Sequence, residues 1–223
     1  SFHFKGLDLL NSSEIFISDY SIRFQNFFNK KIEDIYEKER TIDDLISKQP
    51  LQNEKNNSND RDVNEFSDEV VGQKILSYAI GCMMGRYNLD EPGLIYAHAG
   101  NQDFDASRYQ KFPADADGII PLTEMHWFED DATHRIQEFL TAVWGKDTLD
   151  TNMQWLAESL DKKASETAED TIRRYLASKF YKDHMQTYKK RPIYWLFSSG
   201  KQGAFQALVY LHRYNESTLA RMR

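Results

Sequence analysis

The sequence predicts an α+β fold, predominantly helical, with one β-hairpin near its C-terminal end. Two observations carry this. Through most of the 223 residues the apolar side chains recur at spacings of three and four, the signature of helices with one buried face. From Arg191 to Tyr214 that period gives way to two apolar runs around a turn, R-P-I-Y-W-L-F-S-S-G-K-Q-G-A-F-Q-A-L-V-Y-L-H-R-Y. A third feature, the polar stretch 49–66, divides the chain into a helical arm (1–48), a flexible linker (49–66) and a helical domain (67–223) with the hairpin at about 192–212.

Ser1 to Leu10 reads as an extended lead-in. Ser12 or Ser13 is placed to cap a first helix, with Glu14 in its first turn. Tyr20, Phe24, Phe27, Phe28, Ile32, Ile35 and Tyr36 then share one helical face, and a shorter helix over 41–48 turns Ile42, Leu45 and Ile46 inward. Between Gln49 and Asn64 only Leu51 and Val63 could bury much, too little to offset the entropy of ordering the segment.

Ser67 caps the next helix, which carries Ile75, Leu76, Ala79, Ile80, Met83 and Met84. Gly81 and Gly85 lie four apart in it. Glycine costs about 1 kcal/mol in a helix interior, so either another backbone packs closely there or Gly85 marks the helix end. Pro92, Gly93, Gly100, Pro113, Gly118 and Pro121 make 88–124 a long irregular region, with a short strand expected at Leu94–Ala97. A helix follows over Ala132–Trp144, ended by Gly145, and Glu129, Asp130 and Asp131 favour the positive end of its dipole. Thr151 is read as the cap of the next helix and Ser165 as the cap of another, whose Ile172, Tyr175, Leu176 and Phe180 run on towards Tyr188. In the hairpin, Pro192 sits at a strand start where no ladder bond is lost. Both runs, Ile193–Phe197 and Phe205–Leu211, are nearly continuous in apolar residues, so both faces are expected to be covered.

Composition limits function. A 40% apolar share with 14 Phe, 12 Tyr and 4 Trp makes the chain globular, and no window approaches the roughly 18 apolar residues of a membrane helix. The chain opens on Ser1 and closes in what reads as the start of a helix, so a piece of a longer protein is expected. The single cysteine, Cys82, excludes an internal disulfide and fits a reducing, cytoplasmic setting. A net charge of -7 argues against nucleic-acid binding by the whole surface but leaves room for a local basic patch.

Tests for chemistry fail one after another. His126 and His134 lack a third ligand at zinc spacing, and Asp115, Asp117 and Gly118 lack the glutamate that completes a calcium loop, so no metal is expected. Gly200-Lys201 lacks the rest of a phosphate loop. None of His3, His98, His126, His134, His184 and His212 lies in a nucleophile motif. No catalytic or cofactor-binding residue is assigned.

What remains is binding. Lys179, Lys182, Lys189, Lys190, Arg191, Lys201 and Arg213 concentrate positive charge around the hairpin, interleaved with Tyr181, Tyr188, Tyr194 and Trp195. Basic and aromatic residues together are what a backbone-tracking surface uses. The candidate DNA-contacting set is Lys182, Lys189, Lys190, Arg191, Tyr194, Lys201 and Arg213. The alternative for Lys189, Lys190 and Arg191 is a solvated helix end whose charge offsets the dipole.

Two long stretches also carry a family resemblance: L-S-Y-A-I-G-C-M-M-G-R-Y-N-L-D (Leu76–Asp90) and Y-K-K-R-P-I-Y-W-L-F-S-S-G-K-Q-G-A-F-Q-A-L-V-Y-L-H-R-Y (Tyr188–Tyr214). F-P-A-D-A-D-G-I-I-P-L (Phe112–Leu122) and F-Y-K-D-H (Phe180–His184) add weaker matches. In this order they resemble the region C-terminal to the catalytic domain in the large adenine-specific DNA methyltransferases of BREX phage-defence systems, the PglX type. The resemblance implies a parent that uses S-adenosylmethionine bound upstream, with double-stranded DNA as its partner. It assigns this region a non-catalytic role, a helical spacer that helps position DNA. Neither a glycine-rich cofactor loop nor the Asn/Asp-Pro-Pro-Tyr/Phe element of adenine methylation occurs, so the piece alone should be inactive. The competing expectation is a protein-docking module for another subunit of the same defence system.

Overall fold

A computed structural model describes residues 67–98, 102–123, 125, 127–189, 191–200 and 205–222. The expected arm (1–48) and the whole of the expected linker (49–66) lie outside that set, as do His126, Lys190 and Lys201.

Helix α1 (Asp68–Met83) is the axis of the core. The Ser67 side chain accepts the Val70 N–H at its start. Leu76, Ala79, Ile80, Cys82, Met83 and Met84 are fully buried, so its C-terminal half is enclosed rather than merely faced. α1 packs against α2 (Ala132–Trp144), α3 (Leu149–Ser159) and α5 (Phe180–Thr187), while α4 (Ala168–Ser178) bridges α3 and α5. A short α6 (Thr218–Arg221) follows the sheet.

Of the two readings of Gly81 and Gly85, the helix end at Gly85 holds and the close approach of another backbone does not. A Cβ on Gly81 would run into the Tyr87 ring, and Gly85, with φ of +82°, lies beyond the helix against Phe104 and Tyr109. Aromatic side chains, not a neighbouring backbone, take the space. A third glycine, Gly72, is where α1 meets Ser159 of α3, a close approach that no spacing argument had marked.

Helix starts were legible to within a few residues. α2 matches its expected bounds, with Asp131 as N-cap accepting from Thr133 N (2.8 Å) and His134 N (3.0 Å). α3 is capped at Thr148 rather than Thr151. α4 begins at Thr167 rather than Ser165, through a reciprocal capping box with Asp170. The expected continuous helix towards Tyr188 breaks at Lys179 into α4 and α5.

The hairpin forms, and it gains a strand. β2 (Tyr194–Ser198) and β3 (Gln206–Tyr210) pair antiparallel from Tyr194↔Tyr210 to Ser198↔Gln206. Leu94–Ala97, expected as a strand, is not one. The short strand is instead β1 (Ile119–Pro121), antiparallel to β3, giving the order β1-β3-β2. Side chains alternate across a sheet, so Tyr194, Leu196, Leu208, Tyr210 and Ile120 face the helices, while Trp195, Phe197, Ala207, Val209 and Ile119 face the other way. The expectation that both faces are covered holds for β3. It fails for β2, an edge strand on which Trp195 is 48% exposed.

The loop between α1 and β1 is held by its own polar side chains. Asn88 Oδ1 accepts from Asp90 N (3.1 Å) and Glu91 N (2.7 Å), while its amide donates to Arg108 O (2.7 Å). Asp115 Oδ1 accepts from Asp117 N (2.9 Å), Gly118 N (2.6 Å) and Ile119 N (3.2 Å), which starts β1.

Candidate nucleic-acid interface

α5 presents the basic residues. Phe180 and His184, four apart, turn inward and are buried. That orientation sends Lys179, Lys182 and Gln186, at spacings of three and four, to the exposed side. The helix ends at Tyr188. Lys189 follows with φ of +48°, and Arg191 N–H closes the turn onto Tyr188 O at 2.8 Å. Lys189 and Arg191 are exposed as well. Among the described residues no carboxylate lies within ion-pairing distance of Lys179, Lys182, Lys189 or Arg191.

His184 fixes this helix to the sheet. Its ring is 4% exposed at the residue level and is surrounded by Phe180, Tyr181, Tyr188 and Tyr194. Its Nε2 accepts the Ile193 backbone N–H at 3.1 Å, which requires an unprotonated ring nitrogen. Burial, with the Arg86 cation adding to it, pushes its pKa down to about 4. Nearby, Tyr181 packs against the main core, and burial raises the pKa of its hydroxyl. A cleft of about 210 Å³ between α1 and α5, lined by Gln73, Lys74, Ser77, Asp183, His184 and Tyr188 among others, runs beside this junction.

Two of the expected contact residues are displaced from the surface by the fold. Tyr194 is 2% exposed, its ring packed between His184 and Tyr210, so it cannot stack on a base. Arg213 is buried. Its guanidinium donates to Asp115 O (2.7 Å), Ala116 O (2.8 Å) and Met84 O (3.4 Å), and lies 3.6 Å from the centre of the Phe104 ring. It ties the end of β3 to the α1 terminus and the β1 turn. Run-of-sequence charge could not distinguish such an arginine from a surface one. Trp195 is exposed, but on the face of the sheet away from α5. Lys182, Lys189 and Arg191 keep an exposed placement, joined by Lys179; Lys190 and Lys201 lie outside the described residues.

Other ionic groups are structural. Asp131 is fully buried, and its carboxylate meets Arg173 at 3.2 Å besides capping α2. Among the described residues no group of three or more His, Cys, Asp or Glu side chains could hold a metal ion, and no helix is long and apolar enough to cross a membrane.

No family model matches the chain. Over 175 residues, 74% of the chain, it is 53% identical to the adenine-specific methyltransferase BrxX of Escherichia coli O9:H4 (strain HS), covering 14% of that protein. Over 151 residues, 66% of the chain, it is 46% identical to the adenine-specific methyltransferase PglX of Lacticaseibacillus casei (strain Zhang), covering 12% of it. The chain is therefore related to a segment of the adenine-specific methyltransferases, and it spans only about one seventh of their length. Both relatives bear out the resemblance to the PglX-like methyltransferases of BREX systems that the sequence suggests.

Proposed function

We propose that this segment is a non-catalytic helical module of an adenine-N6 DNA methyltransferase, and that the outward side of α5 with the turn after it contacts the phosphate backbone of duplex DNA. The observation that carries the reading is the set Lys179, Lys182, Lys189 and Arg191. On a chain of net charge -7 these are exposed cations with no carboxylate partner among the described residues. Several arginines elsewhere are neutralised locally, as Arg108 with Glu91 at 2.8 Å or Arg174 with Glu166 at 2.8 Å. Phosphates would supply the missing counter-charge.

The methyl donor of the whole enzyme would be S-adenosylmethionine, bound outside this segment. The residues here do not fit it. Adenosyl cofactors of this kind rest on a glycine-rich turn between a strand and a helix. Here β1 leads into an irregular loop, β2 into the hairpin turn and β3 into a short 3-10 turn.

The test is fluorescence anisotropy with short duplex DNA at rising salt, comparing the full chain with the triple variant Lys182→Glu, Lys189→Glu, Arg191→Glu. Four phosphate contacts correspond to a slope of log K against log salt of about -3.6. The variant should bind too weakly to measure. Absence of binding at low salt, or equal binding by the triple variant, would remove the DNA-contact reading and leave docking to another defence-system subunit as the role of this surface.

A further inference from the structure

His184 leaves one polar group unanswered. Its Nε2 is taken by the Ile193 N–H, so the neutral ring carries its proton on Nδ1. The ring is buried, and that second N–H meets no acceptor among the described residues. Buried donors are nearly always paired, so an exception asks for an explanation. His184 also forms part of the wall of the cleft between α1 and α5, which holds about 210 Å³. Beside it in that wall stands Asp183, whose carboxylate accepts the Tyr175 hydroxyl at 2.8 Å and has no cation within ion-pairing distance among the described residues. The cleft therefore sets a hydrogen-bond donor next to an acceptor. The rings of Phe180 and Tyr188 and the hydroxyl of Ser77 line it as well.

We infer that this cleft takes a single unstacked nucleobase from the DNA strand whose phosphates lie on Lys189 and Arg191, an inference that rests on the DNA-contact reading. A base presents N–H donors beside carbonyl or ring-nitrogen acceptors on one planar edge, the complement of Asp183 and His184. Its faces are aromatic, and stacking on side-chain rings is how unstacked bases are held. Its size agrees, because the cleft is smaller than the roughly 300 Å³ at which sites for drug-sized ligands begin. Other small ligands fit less well. A free anion is opposed by Asp183, and an ammonium or guanidinium group would leave the His184 N–H unmet. The strand can reach the cleft, since Tyr188 in its wall ends α5, Lys189 follows at once, and the Arg191 N–H closes the turn onto Tyr188 O. Unstacking is cheapest for a base that has no pairing partner, so an unpaired nucleotide is the preferred occupant.

The experiment compares two labelled DNAs by fluorescence anisotropy on the full chain, a fully paired duplex and the same duplex with one unpaired nucleotide. The variant Ser77→Phe, at a half-buried position of the lining, fills the cleft without touching the basic residues, and an unchanged thermal midpoint confirms that it folds. The unaltered chain should bind the DNA with the unpaired nucleotide about ten-fold tighter than the paired duplex, with the same salt slope. Ser77→Phe should lose that advantage and keep its affinity for the paired duplex. A second measurement needs no variant: 5-iodouracil at the unpaired position should photo-cross-link to Tyr188, as mapped by mass spectrometry. Equal affinity for the two DNAs at a normal salt slope overturns the inference and leaves the phosphate contact standing, whereas binding to neither removes both readings. An advantage that survives in folded Ser77→Phe, or a cross-link mapped away from the cleft, overturns the inference by placing the base elsewhere.

Discussion

Arg213 offers the sharpest test of how this protein is put together, because sequence reasoning and structure assign it different work. In the structure its guanidinium serves three carbonyls and stacks on Phe104. Replacing it by methionine keeps most of the stem volume but removes every donor. The two short bonds, at 2.7 and 2.8 Å, are hydrogen bonds from a charged group, about 1.5–3 kcal/mol each. The 3.4 Å bond is weak by its length, and the cation over the ring adds about 1–2 kcal/mol. Recovered desolvation of the arginine, which already depresses its pKa, offsets part of this. The net loss should be about 3–4 kcal/mol, since such terms do not add fully. It should appear in urea unfolding as a lowered midpoint with an unchanged slope. The salt dependence of DNA binding by the folded fraction should stay as it is. A loss below about 1 kcal/mol together with a shallower salt slope would refute the argument, because it would mean that Arg213 reaches solvent and phosphate.

Three further outcomes follow from the same packing. Gly81→Ala forces a methyl into the Tyr87 ring, which is itself buried, and should cost about 1–3 kcal/mol in thermal or urea unfolding; Tyr87→Leu with Gly81→Ala should recover part of it. Asp131→Ala removes the α2 cap and leaves the buried Arg173 with only the half-exposed Glu169 as ionic partner at 2.9 Å, for an expected loss of about 3–5 kcal/mol by the same measurement. His184 has its folded pKa lowered to about 4 from an ordinary 6.5, so the unfolded chain binds the extra proton between those values; the stability from this site is present above about pH 6.5 and lost as pH falls through 4, by about 2–3 kcal/mol, and His184→Gln should flatten that part of the stability-versus-pH curve.

The elements whose formation is decided locally were the legible ones. α2 was readable to the residue because its apolar stripe, its Asp131 cap and its Gly145 stop all agree. The cap of α4 was missed although Thr167 and Asp170 spell out a capping box, a signal the sequence does contain. β1 was not readable. Three residues, Ile119, Ile120 and Pro121, carry no period, and what makes them a strand is β3, ninety positions away by the pairing Ile119↔Val209. The same limit governs the candidate site. Lys182 is exposed because helical spacing sets its side and Lys189 and Arg191 because they follow the end of α5, whereas Tyr194 and Arg213 are buried because a strand's two faces and a single arginine's partners are settled by tertiary contacts.

The cationic side of α5 is held in place by the sheet. On the sheet's inner side, His184 accepts the Ile193 N–H and packs on the Tyr194 ring, and so holds the cationic side chains on a rigid support, which is what a phosphate-contacting element needs to keep its geometry. On the outer side, Ala207 and Val209 are buried while Trp195 stands half exposed on the edge strand. A small three-stranded sheet gains its stability from an apolar face packed against helices, and Tyr194, Leu208 and Tyr210 supply that face, so the same residues that stabilise the sheet also fix the position of α5.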